Sequence, residues 1–428
     1  MHRQCRLPRL ILGLVALLAS ATSSARPPVR CEGPSPPTHD SLYSCVDALP
    51  QPLQRREALL AFDADDIEAA RHARGQMLAF VEAELGRYDD ALTAYPFSPR
   101  FSPPQPAPTP STHDTRAAAP VIAEMARERR IVLVNEAHHD AATRQLTLEL
   151  LPLLRTAGYT HFAAETLDAG DVDLARRGYP IAATGGYTKE PLYGDIVRQA
   201  LRLGYVIVPY ESSGHGTNQQ AREEGQAAHL KARVFDTAPD ARLFVHAGYA
   251  HIDKAASPRL WNVDTMAVRL KALTGIDPLS IDQTLLRSWG KGRESTTATA
   301  LIDAFDPQGP SVLIARNGGF PWSAAPQWHD VSVLLPRPTF DTARPRWLDL
   351  GGAREAWPIP RRLCREVRPC RVEARHRDEP DGAVPADRYA IVEPDDEASL
   401  YLRPGRYRIR ALDRDGAPIG RERGVRIR

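Results

Sequence analysis

The sequence predicts an α/β fold: a mainly parallel central sheet flanked by helices, with a helical N-terminal segment and a small all-β C-terminal domain. Three observations carry this. From Thr115 to about residue 340, helix-like and strand-like stretches alternate. Ahead of them lies a segment whose apolar residues recur at helical spacing. Behind them, Tyr407, Ile409 and Ala411 alternate with arginines, and Asp415-Gly416 is a hairpin turn signal.

In chain order, residues 1–25 read as a secretory signal. Arg3, Arg6 and Arg9 precede an apolar run from Leu10 to Ala19, and small residues lead to a cut after Ala25. That run is far shorter than the ~20 apolar residues a spanning helix needs. The expected product is therefore periplasmic or secreted, with no stable membrane insertion once the signal is removed. Cleavage also removes Cys5 and leaves Cys31, Cys45, Cys364 and Cys370, an even number in an oxidising compartment. Four cysteines allow three connectivities, of which 31 with 45 and 364 with 370 is the local one. Residues 26–94 predict a helical N-terminal segment, with one or two helices over 58–92 after a polar, proline-bearing stretch at 27–40. Residues 95–114 carry seven of the 38 prolines and predict a linker, because proline suits neither a helix interior nor a central strand.

Within 115–340 the first helix, "AAAPVIAEMARER", feeds the strand "IVLVN". The next helix runs from a cap at Asp140 to a stop at Gly158. The strand "THFAAE", the helix "PLYGDIVRQALRLG" and the strand "YVIVPYE" follow. A long helix then opens at Asn218, with Ala221, Gly225, Ala228, Ala232 and Phe235 as its packing face, and leads to "ARLFVHAGYAH". "PLSIDQTLL", "PSVLIAR" and "DVSVLLP" predict further strands of the same sheet, at its edges. Residues 341–428 predict the β-rich domain.

In such sheets ligands bind at the carboxyl ends of the strands. Here those ends carry Glu136 with His138 and His139, then Glu165, then Glu211, then His246 followed by Tyr249 and His251. Acidic groups gathered at one rim repel unless a cation, a shared proton or an arginine holds them. Arg222, in the first turn of the helix after Asn218, is the available arginine. His161 opens its strand and falls at the opposite rim, and His246 reads as a hydrogen-bonded core residue. A formal charge of only +2 gives no reason to expect nucleic acid as a partner.

"VLVNEAHHD", "FAAET", "YE", "AREEGQAAHL" and "VHAGYAHI", in that order, resemble the superfamily that joins the erythromycin esterases, the ChaN-type haem-binding lipoproteins and the TraB/Tiki metalloproteases. The resemblance covers residues 132–252, under a third of the chain. Asn135 stands where those families carry glycine. His138 fits one form of their motif and His139 the other, and His138 is the favoured match. The resemblance implies hydrolysis of an ester or amide in a small-molecule or peptide substrate. His138 would be the base, Glu136 would orient it or carry the proton, Arg222 with His251 would stabilise developing charge, and Glu165 and Glu211 would tune the set. Glu211, Tyr249 and His139 are assigned to substrate binding. Two alternatives stay open. One is a divalent transition metal held by His138, His251, Glu136 and Glu165. The other is a haem- or iron-binding protein of the ChaN type, with Tyr187, Tyr193, Tyr210 and Tyr249 as rim aromatics. No G-x-S-x-G occurs, so a serine nucleophile is not expected.

Overall fold

A computed structural model describes residues 29–31, 39–63, 67–97, 106–211, 218–287, 295–340 and 342–428. The signal (1–25), the middle of the proline-rich stretch and Ser212-Ser213 lie outside these residues.

The first elements of the described residues are four helices, α1 (His39–Asp47), α2 (Pro52–Ala61), α3 (Glu68–Glu84) and α4 (Tyr88–Ala94). One or two were expected over much of this stretch, but breaks after Ala61 and after Glu84 divide it into three. Then follow β1 (His113–Ala117), α5 (Ala118–Met125), β2 (Ile131–Glu136), α6 (Gln145–Thr156), β3 (His161–Ala164), α7 (Leu174–Arg177), α8 (Pro191–Arg202) and β4 (Val206–Pro209). Next come α9 (Gln219–Leu230), β5 (Leu243–Gly248), α10 (Met266–Thr274), β6 (Leu279–Asp282), α11 (Thr296–Phe305), β7 (Ser311–Ala315) and β8 (Val331–Ser332). The chain closes with β9 (Glu355–Pro358), β10 (Cys370–His376), β11 (Asp387–Ile391), β12 (Ser399–Leu402), β13 (Gly405–Leu412) and β14 (Arg423–Ile427).

Six strands form the central sheet in the order β4-β3-β5-β2-β6-β8, and every pair is parallel. Helices cover both faces. Val132 and Val134 pack with α5, α6 and α8, whereas Ile131 and Leu133 pack with α9 and α10. That alternation is the period-2 geometry of a strand buried on both sides. From β2 the chain winds outward to β3 and β4, returns to place β5 beside β2, and continues past β2 to β6. The carboxyl ends of β2, β3 and β5 therefore meet where the winding reverses, the crevice in which open α/β sheets bind ligands.

Two strand expectations need correction. "PSVLIAR" is not in this sheet: it is β7, paired antiparallel with β1, so His113 and Asp114 belong to a strand and not to the linker. β6 is no edge strand, since β2 and β8 flank it. The α9 face also shifts by a stripe. Glu223, Gln226, Ala227 and Leu230 are buried, while Ala221 and Ala228 are exposed.

The C-terminal region contains an antiparallel sheet, β11-β10-β13-β14, and a two-stranded sheet, β12-β9. Cys364 and Cys370 are joined there, and Cys31 and Cys45 tie the chain ahead of α1 to that helix. The N-terminal helices pack on this region, with Glu84 of α3 bound by Arg55 of α2 and by Arg388 of β11. No helix of the described residues is long and apolar enough to cross a membrane.

Candidate active site

Because Val132 and Val134 point towards α6 and α8, Glu136 emerges on that same side two residues later. Its carboxylate is 1% exposed and fully engaged. Oε1 lies 2.8 Å from Nδ1 of His138, and Oε2 accepts from Nε of Arg144 at 2.7 Å. Arg144 also donates to Glu190 at 2.8 Å and to the backbone carbonyl of His138 at 2.9 Å. It closes a single turn, Ala141–Arg144, which Asp140 caps while Arg287 pairs with Asp140. Burial alone would raise the Glu136 carboxyl, but the Arg144 guanidinium and the His138 and His246 imidazoles hold it well below the usual range. Tyr187 stacks on the His138 ring at 3.8 Å, and Phe80 of α3 meets it edge-on at 6.0 Å.

A second half-site faces the first. Glu165 follows β3 and is 3% exposed. Its Oε1 takes Nη2 of Arg222 at 2.7 Å, and its Oε2 accepts from the backbone N–H of Gly248. Arg222 reaches Glu211 as well, through Nη2 at 2.6 Å and Nε at 3.1 Å. Its remaining nitrogen, Nη1, lies 3.2 Å from Nε2 of His251, whose Nδ1 is 2.7 Å from Glu223. Arginine can only donate, so this Nε2 accepts when the His251 proton sits on Nδ1 towards Glu223. Burial works against charge on His251. The Glu165 and Glu223 carboxylates outweigh it, despite Arg222, and lift the imidazole above its ordinary value.

The two halves are thus carboxylate–imidazole pairs, Glu136–His138 and Glu223–His251, with both Nε2 atoms turned towards Oε1 of Glu165 at 3.8 and 3.6 Å. His138, Glu165, Glu211 and Arg222 line a cavity of about 800 Å3. Its far wall comes from the N-terminal helices, through Tyr43, Met77 and Phe80.

Gly248 makes this convergence possible. A Cβ there would overlap Cε1 and Nε2 of His138 and sit 2.8 Å from Oε2 of Glu165. Gly248→Ala is expected to push the imidazole away from Glu136 and to cost roughly 1–3 kcal/mol through overpacking, read as a fall in Tm. An unchanged Tm in this variant would contradict the packing described.

Stability should vary with pH in two opposite ways. Burial would raise Glu165, but His251, His138, Arg222 and the Gly248 amide hold it well below the ordinary carboxylate range, as Glu136 is held. Stability from these ionised groups is complete above the unfolded value of about 4.3 and is lost as pH falls through their folded values. His251, being raised, contributes below its unfolded value of about 6.5 and loses that contribution as pH rises through its folded value. Thermal melts across pH should show a plateau between about pH 5 and 6.5, falling on both sides. A flat acid limb would refute the assignment for the glutamates.

Of the residues expected at the rim, Glu136, His138, Glu165, Glu211, Arg222 and His251 form one chain of contacts. His139 and Tyr249 lie beside it but do not line the cavity. The His139 ring is sandwiched on Tyr95 at 3.6 Å and its Nδ1 faces the Tyr249 hydroxyl at 3.0 Å, so direct substrate contact is not where these two residues sit. His246 binds Thr147 in the core at 2.9 Å. Arg144, Glu190 and Glu223 carry no site signal in the sequence. Only Glu190, in front of Pro191, carried a helix-start signal.

The metal ligand set does not fit this geometry. Glu136 lies on the Nδ1 side of His138, away from the Nε2 that faces Glu165. The Arg222 guanidinium bridges Glu165, Glu211 and His251, where a cation would need to sit. Among the described residues, no group of three or more His, Cys, Asp or Glu side chains is arranged to hold a metal ion.

Fold and site together define a doubly wound α/β protein with a histidine–glutamate–arginine centre at the strand carboxyl rim. No protein-family model matches the chain, and no curated protein matches it. Among solved structures it is similar to the type III effector HopBA1, at 15% identity over 46% of this chain and 90% of that one, with a TM-score of 0.30. It is also similar to RRSP, a MARTX toxin effector domain from Vibrio vulnificus CMCP6, at 17% identity over 38% of this chain and 35% of that one, with a TM-score of 0.27. Likenesses this distant carry no conclusion about activity.

Proposed function

We propose that the protein is a secreted or periplasmic hydrolase of an ester or amide bond, of the erythromycin esterase-like type. The supporting observation is the pairing of His138 with a buried carboxylate on one side of its ring and with Glu165 and the cavity on the other. In this reading Nδ1–H of His138 donates to Glu136, which fixes the tautomer and leaves the Nε2 lone pair facing the cavity. A water between Nε2 and Glu165 gives its proton to His138 as its oxygen attacks the substrate carbonyl carbon. Negative charge moves to the carbonyl oxygen, where the Arg222 guanidinium opposes it, with His251 holding Nη1 of Arg222 in place. The bond to the leaving alcohol or amine then breaks, and the proton held by His138 passes to that group. Glu211 neutralises Arg222 and keeps it in place.

The test uses the mature chain with p-nitrophenyl esters of short acyl chains and a pool of fluorogenic peptides. Turnover of at least one class is expected. Glu165→Gln should lower kcat/KM by about 100-fold or more, measured at a temperature where the variant is still folded, since loss of this charge also lowers Tm. No turnover of either class, or full activity in Glu165→Gln, would end this reading.

A further inference from the structure

The C-terminal sheet has two unlike faces. Val372, Tyr389, Tyr407, Ile409 and Ile427 pack into an apolar core. Period-2 alternation sends the intervening residues to the other face, which is dominated by arginine: Arg371, Arg375 and Arg377 along β10 and just past it, Arg388 on β11, Arg406, Arg408 and Arg410 on β13, and Arg426 on β14.

The inner part of this face is neutralised. Glu373 pairs with Arg371 at 2.8 Å, Arg388 at 2.9 Å and Arg375 at 2.7 Å, and Glu84 reaches Arg388 from α3. Further out, Asp381 pairs with Arg408 and Arg410, and Glu422 lies 3.5 Å from Arg408. The outermost row is different. Arg406 and Arg426 are directly opposite in the β13–β14 register, and the amide of Arg377 donates to the carbonyl of Arg406 at 2.9 Å, so three arginines stand side by side across three strands. All three are exposed, and among the described residues no ion pair reaches any of them. With Arg408 and a single carboxylate, Glu422, which lies by Arg408, they line a groove of about 680 Å3.

Like charges directly opposite in a sheet are destabilising. Protection of an exposed sheet edge explains Arg426, because β14 is an edge strand. It does not explain Arg406, which lies on an inner strand, or Arg377, in the turn just past the inner strand β10. Neighbouring strands are spaced about 4.8 Å apart, so the row presents three planar guanidinium forks over about 10 Å. That suits a ligand with several oxyanion groups, each able to accept two parallel N–H bonds.

We propose that the Arg377–Arg406–Arg426 row is a binding site for a compound carrying two or more linked phosphate groups. The site is separate from the hydrolytic centre and does not depend on its assignment.

The experiment is calorimetric titration of the full mature chain with sodium tripolyphosphate and with inorganic monophosphate, at low and at physiological salt. Tripolyphosphate should bind at least tenfold more tightly than monophosphate and weaken as salt rises. The double variant Arg406→Gln/Arg426→Gln should lose about tenfold or more in affinity per guanidinium removed. Without ligand, that variant should melt at or above the parent temperature, since a repulsion has been relieved. Failure of tripolyphosphate to bind, equal binding by the double variant, or a lower melting temperature in that variant would each overturn the proposal. Tighter binding to vesicles containing anionic lipid than to tripolyphosphate, lost in the same variant, would overturn it in favour of a membrane surface.

Discussion

His138→Gln is expected to lower kcat/KM for a hydrolysed ester or amide by roughly 10²–10⁴-fold while the protein stays folded. Glutamine is close in reach and can still hydrogen-bond Glu136, but its amide has no nitrogen lone pair that accepts a proton near neutral pH. The Tyr187 ring would lose its stacking partner. That loss is modest, since aromatic pairs contribute about 0.5–1.5 kcal/mol beyond their area. Rate and stability should therefore separate. Parallel measurement of kcat/KM and Tm decides it: a large loss of rate with a small change in Tm supports His138 as the base, and retained rate removes it from the chemistry. His139→Gln is the matched control, because His139 sits in the Tyr95 stack outside the cavity.

The largest expected effect on stability is that of Arg144→Met. Arg144 is completely buried and is the cation shared by Glu136 and Glu190. Methionine fills much of the same volume but leaves two carboxylates in a water-poor interior, a change that typically costs about 3–5 kcal/mol. At about 2–4 °C per kcal/mol for a domain of this size, Tm should fall by roughly 6–20 °C. Arg144→Met/Glu190→Gln should recover part of that fall by removing one uncompensated charge. If the single variant melts like the parent, the buried carboxylates are not ionised as described.

Much of the sheet is legible in the sequence because a strand buried on both faces reads as a short continuous apolar run, and "IVLVN" and "LFVHA" are such runs. The rim residues are legible for a related reason: a glutamate or histidine directly after an apolar run can only sit at the strand end. What the sequence hides is pairing between distant segments. Nothing local distinguishes "PSVLIAR" from a strand of the central sheet, yet it pairs with β1, which lies at the end of a proline-rich stretch. The α9 face is misread because small residues suggest close packing. The buried stripe instead carries Glu223, whose carboxylate is drawn inward by His251 and the amide of Met266. Arg144 and Gly248 have roles defined entirely by tertiary neighbours. The arginine face of the C-terminal sheet escapes any argument from total charge, since a sum over the chain carries no information about position.

Phe80 and Met77 enter the cavity from α3, a helix that precedes the residues doing the proposed chemistry by more than fifty positions and rests on a different sheet. The reactive groups and much of the surface that greets an incoming molecule are thus written in separate stretches of the chain. Drift in α1 to α3 can reshape what is admitted while the water-handling groups stay untouched, so diversification among descendants of this chain has a ready place to occur.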